Sequence, residues 1–282
     1  MNKSELLRLM GRSLLLFPLI LIMPMAHQII ILLLIIWFVL LLIFLYPAIL
    51  AYIAIVSYQQ KGKETFKRYM SIAFKSGRLD PKSAATYSYI LLKDGEIERA
   101  SEVLDYGELM AHERIKWRKG EMKYNLVHSY RALILWKQDR LDDASDLLMN
   151  LYNSGYRTSI LYTNLGWFLI KQKKYSDALE INQEALEYDR SNAALDNIGL
   201  VYLKLGDLKK SREYYEELIE NNPTFPDAWF NYGILLEAEN ESATAQEMYR
   251  KALSCDFSFL GTITKKEVEQ SLRYDLPGQI TQ

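Results

Sequence analysis

The stretch "WFNYGILLEAENESATAQEMYRKAL", from Trp229 to Leu253, places large and small side chains at helical spacing. In a frame of about 34 residues that starts at Pro226, small residues hold positions 8, 20 and 27, and large residues hold positions 4, 7, 11 and 24. Residues three and four apart share one face of a helix, so positions 4, 7, 8 and 11 lie on one face of a first helix and positions 20, 24 and 27 on one face of a second. The pattern predicts two helices that approach closely at Gly233 and Ala245.

The same frame recurs upstream, and the glycines at position 8 are Gly166, Gly199 and Gly233, which lie 33 and 34 residues apart. One departure is Asn182, which stands where a large aromatic residue is expected. The pattern resembles the tetratricopeptide repeat over about residues 81–258. That resemblance implies an all-α fold, an α-solenoid in which antiparallel helix pairs form a right-handed superhelix. The units begin near residues 81, 125, 159, 192 and 226.

In that family the first helices line a concave groove, and position 6 tends to face it. Position 6 is Asn164, Asn197 and Asn231 in three consecutive units. An amide side chain can both donate and accept, so the resemblance implies a ladder for the backbone of an extended peptide. Alternatively, these side chains are solvated or bond to a neighbouring repeat.

Neighbouring groove positions hold Trp167, Phe230 and Asp196, which predicts a mostly apolar floor with one acid. Positions 2 and 6 of the last three units carry no Lys or Arg, so a clamp for a C-terminal carboxylate is not expected. The sequence predicts an inner wall that is open to another chain.

Residues 13–58 contain no Asp, Glu, Lys or Arg. About 20 apolar residues span a bilayer. Residues 1–58 are therefore predicted to form a membrane anchor, a transmembrane helical hairpin with spans at about 9–26 and 29–56. The alternative is one span at 29–50, preceded by an interfacial segment.

The whole chain carries a net charge of −1, residues 1–12 carry +2 and residues 59–80 carry +4, which leaves −7 on residues 81–282. Basic residues on both flanks of the apolar block predict a multi-pass protein of the cell membrane with cytoplasmic repeats. The sequence shows no eukaryotic targeting signal, which favours a bacterial protein. Residues 59–80 are predicted to form a basic juxtamembrane helix. The cluster Arg114–Lys123 is either the solvated tip of a long helix pair or a contact with anionic lipid or an acidic partner. Residues 259–282 are predicted to form a capping helix, which begins at the capping box Thr264–Glu267, and a tail.

The acidic distal part argues against a nucleic-acid partner. A single cysteine and three scattered histidines offer no metal site, and no phosphate-binding, dinucleotide-binding or nucleophile motif is present. The sequence therefore predicts neither an enzyme nor a cofactor. It predicts a non-catalytic, membrane-anchored scaffold that binds a protein or peptide in the concave groove. The alternative is an assembly subunit whose hairpin packs against other membrane proteins, with the repeats as a spacer.

Overall fold

The computed structural model describes residues 27–115 and 121–273, and every regular element in these ranges is an α-helix. The predicted first span, at about residues 9–26, lies outside the described residues. The chain divides into two compact units, Met1–Tyr87 and Ser88–Gln282. The described helices are α1 (His27–Lys75), α2 (Pro81–Lys93), α3 (Ile97–Ile115), α4 (Glu121–Lys137), α5 (Leu141–Asn153), α6 (Ser159–Lys171), α7 (Tyr175–Tyr188), α8 (Asn192–Leu205), α9 (Leu208–Glu220), α10 (Pro226–Ala238), α11 (Ser242–Ser254) and α12 (Lys265–Arg273).

Helix α1 contains a stretch, Ile29–Tyr58, that is long and apolar enough to cross a membrane. It coincides with the second predicted span. Core helices of soluble proteins and signal sequences meet the same criterion, so the stretch alone does not establish a membrane anchor, and the hairpin is not shown. Within residues 29–46 its large apolar side chains point outward on all sides, including Ile31, Leu32, Ile35, Phe38 and Ile43.

The helix breaks at Gly62, which has a φ of 78° and a ψ of 179°. Glycine adopts such a conformation without the steric cost of a β-carbon. Beyond the break, residues 63–75 run back along the end of the apolar stretch. The rings of Tyr58 and Phe66 lie 5.5 Å apart. Arg78 Nη1 donates to the carbonyl of Ile43 at 3.4 Å, so residues on either side of Gly62 pair in an antiparallel order.

This antiparallel pair follows the register of the repeats. In a frame that starts at Pro47, 34 residues before Pro81, position 8 is Ala54 and positions 20, 24 and 27 are Phe66, Met70 and Ala73. All four of these side chains are at most 2% exposed. The second helix of the pair matches the frame in the sequence. The first helix is part of the apolar block, where nearly every residue is apolar and the repeat pattern cannot be recognised.

In the second unit the helices α4 to α11 form consecutive antiparallel pairs. A β-carbon on Gly166 would lie 2.3 Å from the side chain of Asn182. The same distance is 2.9 Å from Gly199 to Tyr215 and 2.4 Å from Gly233 to Tyr249. Position 8 therefore meets position 24 in each of the last three units, and the prediction that glycine permits the close helix crossing is confirmed.

The last helix, α12, covers the end of α11. Thr264 and Glu267 form the reciprocal hydrogen bonds of a capping box, with Glu267 N–H donating to Thr264 Oγ1 at 3.3 Å. Val268 is completely buried against the core of the last repeats. The side chains of the basic cluster Arg114–Lys123 lie outside the described residues. The boundaries at 58, 80 and 258 stay predictions.

Candidate protein-binding surface

Two tryptophans form an aromatic pair on the surface made by the first helices of the repeats. The rings of Trp136, on α4, and Trp167, on α6, meet edge to face with centroids 4.6 Å apart. Both side chains are half-buried. The ammonium of Lys137 lies 3.7 Å from the Trp136 ring, and that of Lys171 lies 5.5 Å from the Trp167 ring. The surface therefore offers aromatic faces partly covered by cations.

Trp136 and Lys137 stand at positions 12 and 13 of the unit that begins at Asn125. The groove prediction covered only the last three units and missed both. Burial lowers the pKa of Lys137 to about 8, although the negative charge of Asp227 opposes this shift. A hydrogen-bond acceptor placed beside this partly desolvated ammonium would stabilise its charged form.

Asn197, one of the three predicted ladder residues, joins three helices. Its Nδ2 donates to the carbonyl of Thr163 at 3.0 Å and to Oδ1 of Asn182 at 2.9 Å. Asn182 in turn donates from Nδ2 to the carbonyl of Ala178 at 2.6 Å. Asn197 is 3% exposed and Asn182 is fully buried. The unexpected asparagine at position 24 and the groove asparagine of the next unit thus form one buried polar network.

The other two amides also donate within the chain. Asn231 Nδ2 donates to Oδ1 of Asp196 at 3.0 Å, which joins α10 to α8. Asn164 Nδ2 donates to the carbonyl of Ile160, one turn earlier in its own helix, at 2.8 Å. Asn197 and Asn231 therefore bond to the neighbouring repeat, which was the alternative to the ladder. A role for the row in binding a peptide backbone stays a prediction.

We expect Asn197→Ala to lower the free energy of unfolding by about 1–3 kcal/mol, because two buried acceptors lose their donor. Asn164→Ala is the matched control, since its bond is local and its side chain is half-buried. Urea titration followed by circular dichroism measures both variants. Equal losses in the two variants would contradict the proposed network.

Asp196 and Phe230, also predicted for the groove floor, are less open than the sequence implies. Burial raises the pKa of Asp196 to about 7, against the opposing effect of the hydrogen bond from Asn231. The carboxylate of Asp227 adds to the rise. The half-buried ring of Phe230 lies 5.4 Å from that of Tyr249. Asp196 is therefore only partly ionised near neutral pH.

The chain's own residues 255–264, here called the C-terminal segment, lie across part of this surface. The N–H of Phe259 donates to the carbonyl of Lys93, at the end of α2, at 3.2 Å. The Phe259 ring lies 3.5 Å from the position of a β-carbon on Gly95 and has the Lys137 ammonium 4.9 Å from its centroid. The expectation of an open inner wall is therefore wrong for this part of the surface.

Two further contacts hold the C-terminal segment. Lys137 Nζ donates to the carbonyl of Gly261 at 3.3 Å. Thr262 donates both its N–H, at 3.0 Å, and its hydroxyl to Oδ1 of Asp227, which holds position 2 of the last unit. The segment thus meets α2, α4 and α10, three first helices that are distant in the sequence.

Helix pairs in a fixed register, with a surface made by their first helices, define an α-solenoid of the kind that binds other proteins. Profiles described as "Tetratricopeptide repeat" match residues 158–188, 193–225 and 214–247. The chain belongs to the tetratricopeptide repeat family.

Two curated relatives are assembly proteins by name. Type IV pilus assembly protein PilF of Pseudomonas aeruginosa is 32% identical over 100 residues, which cover 34% of this chain and 39% of that protein. Photosystem I assembly protein Ycf3 of Sorghum bicolor is 30% identical over 119 residues, which cover 38% of this chain and 69% of that protein. The match to PilF thus spans about two fifths of its length.

A tetratricopeptide repeat protein from Parabacteroides merdae superimposes with a TM-score of 0.61 at 13% identity. The superposition covers 81% of this chain and 84% of that one. At this identity the likeness concerns the fold alone.

Proposed function

We propose that this protein is a non-catalytic, membrane-anchored scaffold whose first-helix surface binds a partner protein. The observation that carries the proposal is the half-buried pair Trp136 and Trp167, with Lys137 and Lys171 beside it. Aromatic residues with an apolar face and a nearby charge are frequent anchors of protein interfaces. The assembly proteins among the relatives support a role in bringing proteins together.

The membrane anchor in this proposal is residues 29–46. From Pro47 onward, one face of α1 is buried against residues 63–75, which carry Lys63, Glu64, Lys67 and Arg68. A charged helix is costly inside hydrocarbon, so the bilayer ends near Tyr46. The long side chain of Arg78, which reaches the carbonyl of Ile43, then lies at the boundary of the bilayer. Eighteen helical residues span about 27 Å, close to the thickness of a bilayer core. The six Lys and Arg residues within 59–80 favour the cytoplasmic side for this end.

The partner is proposed to lie along the surface that includes Trp167 and Phe230. The buried bonds of Asn197 and Asn231 give these two residues the role of holding adjacent repeats in register. Asp196 is buried, and the Nδ2 of Asn164 donates to the carbonyl of Ile160 in its own helix. Recognition in this scheme depends on aromatic contact more than on a row of amides.

A photoreactive aromatic residue at Trp167, in the full chain in its native membrane, tests the proposal. We expect an adduct of discrete mass, several-fold stronger than from Glu180, an exposed position on the second helix of the same repeat. The adduct should disappear when Trp136→Ala is added, because that ring borders the same surface. Circular dichroism checks that the helical content is kept.

A third probe at Ile36, which is 45% exposed on α1, distinguishes the alternative function. Adducts from Ile36 with none from Trp167 would favour an assembly subunit that contacts its neighbours through the apolar helix. Equal labelling from Trp167 and Glu180 would contradict the scaffold proposal.

A further inference from the structure

We infer that the surface under the C-terminal segment is a recognition site for a short, uncharged aromatic turn of a partner protein, of the form Ser-Phe-x-Gly-Thr, and that the chain's own segment occupies it in the partner's place. The inference rests on the proposed function and names the chemistry of the partner. It is carried by the contacts that the segment makes with α2, α4 and α10.

The segment has a defined shape that a partner would need to share. The N–H of Gly261 donates to the carbonyl of Ser258 at 2.9 Å, which closes a β-turn. The N–H of Leu260 donates to Ser258 Oγ at 3.2 Å inside that turn. A β-carbon on Gly261 would lie 3.0 Å from the Ser258 carbonyl. The turn therefore favours serine at its first position and glycine at its fourth.

The surface recognises this turn through three kinds of group. The aromatic ring of Phe259 lies against Gly95, and the Lys137 ammonium lies over that ring. The same lysine binds the carbonyl two residues later, and Asp227 accepts from the threonine that follows. Residues 257–264 carry no charge. The two charged side chains that contact the turn, Lys137 and Asp227, thus bond to neutral groups, so the partner needs no charge of its own.

Only the turn 258–262 can leave without unfolding its neighbours, because Phe257 and Ile263 on either side of it pack against the core of the last repeats. Within the turn, Phe259 is 40% exposed and Thr262 is exposed, so little apolar area holds it in place. The cap after it remains fixed by Val268, which is completely buried against the last repeats. Tethering at both ends gives the segment an effective concentration on the order of millimolar. A turn from the partner therefore competes for the surface with the chain's own turn, which has the same chemistry.

The test uses a fluorescent peptide with the sequence of residues 256–263 and the full chain in detergent micelles. In the variant Phe259→Ser with Thr262→Ala, we expect the peptide to bind at least tenfold more tightly than to the unmodified chain. Adding Asp227→Ala should remove most of this binding. A scrambled peptide of the same composition is the control. The Trp167 adduct to the partner should also increase in the variant.

Binding of the peptide no tighter than that of its scrambled form would overturn the inference. So would a dimer, detected by light scattering, that forms through Phe259 and dissociates in the variant, because a second copy would then be the occupant. If the Trp167 adduct persists while the peptide fails, this inference alone is wrong. If the adduct is also absent, the proposed function is wrong as well.

Discussion

Gly233→Ala should lower the free energy of unfolding by about 3 kcal/mol, near the upper end for overpacking a core. The new β-carbon would lie 2.4 Å from Cε1 and 2.8 Å from Cδ1 of Tyr249, which is completely buried. Helix propensity alone would favour alanine by about 1 kcal/mol, so a loss of stability has the opposite sign and identifies the contact as the cause. Urea titration followed by circular dichroism measures the change.

The control for this prediction is already present in the chain. In the unit that begins at Asn125, positions 8 and 24 hold Ala132 and Leu148, both completely buried. Gly233→Ala combined with Tyr249→Leu reproduces that pair, so the double variant should be more stable than the sum of the single effects predicts, by about 1–3 kcal/mol. Additive losses would show that position 8 does not meet position 24 in this repeat.

The repeat frame could be predicted because its positions lie within about 34 residues and because the same pattern recurs in several units. A glycine at position 8 leaves space for the side chain at position 24 of the same unit, and Gly199 with Tyr215 shows both halves of that pattern. The helix pair around Gly62 could not be found in the same way. Buried Ala54 and exposed Ile53 and Ile55 are all apolar, so hydropathy does not separate the packed face of α1 from its exposed face.

The binding surface was only partly predictable, because its contacts join distant residues. The repeat frame predicts that Trp167 lies on this surface. The hydrogen bond from Lys137 to Gly261 joins residues 124 apart in the sequence, so no short sequence pattern predicts it. The frame predicts that Asn197 lies on a first helix, but it cannot predict the hydrogen bond to Asn182, a residue that departs from the family pattern. Sequence patterns predict which helix carries a side chain. Whether that side chain bonds within the chain or to a partner protein depends on how the helices pack.

Asp196→Asn should raise the free energy of unfolding at about pH 8, by up to about 4 kcal/mol. Burial raises the pKa of this carboxyl from 3.8 to about 7 in the folded chain. Between these two values the folded state holds a proton that the unfolded state has lost, so stability falls as the pH rises and is constant above about pH 7. The amide keeps an acceptor for the Nδ2 of Asn231, which lies 3.0 Å from Oδ1.

Urea titrations across this pH range compare the variant with Asp146→Asn, the same substitution at an exposed position of α5. The unmodified chain and the control should both lose stability from about pH 4 to pH 7, whereas Asp196→Asn should lose much less. If the unmodified chain instead gains stability over this range relative to Asp196→Asn, the carboxylate of Asp196 is ionised in the folded state. The first-helix surface would then present a negative charge beside Asn231, and a basic group on the partner would be favoured over the uncharged turn.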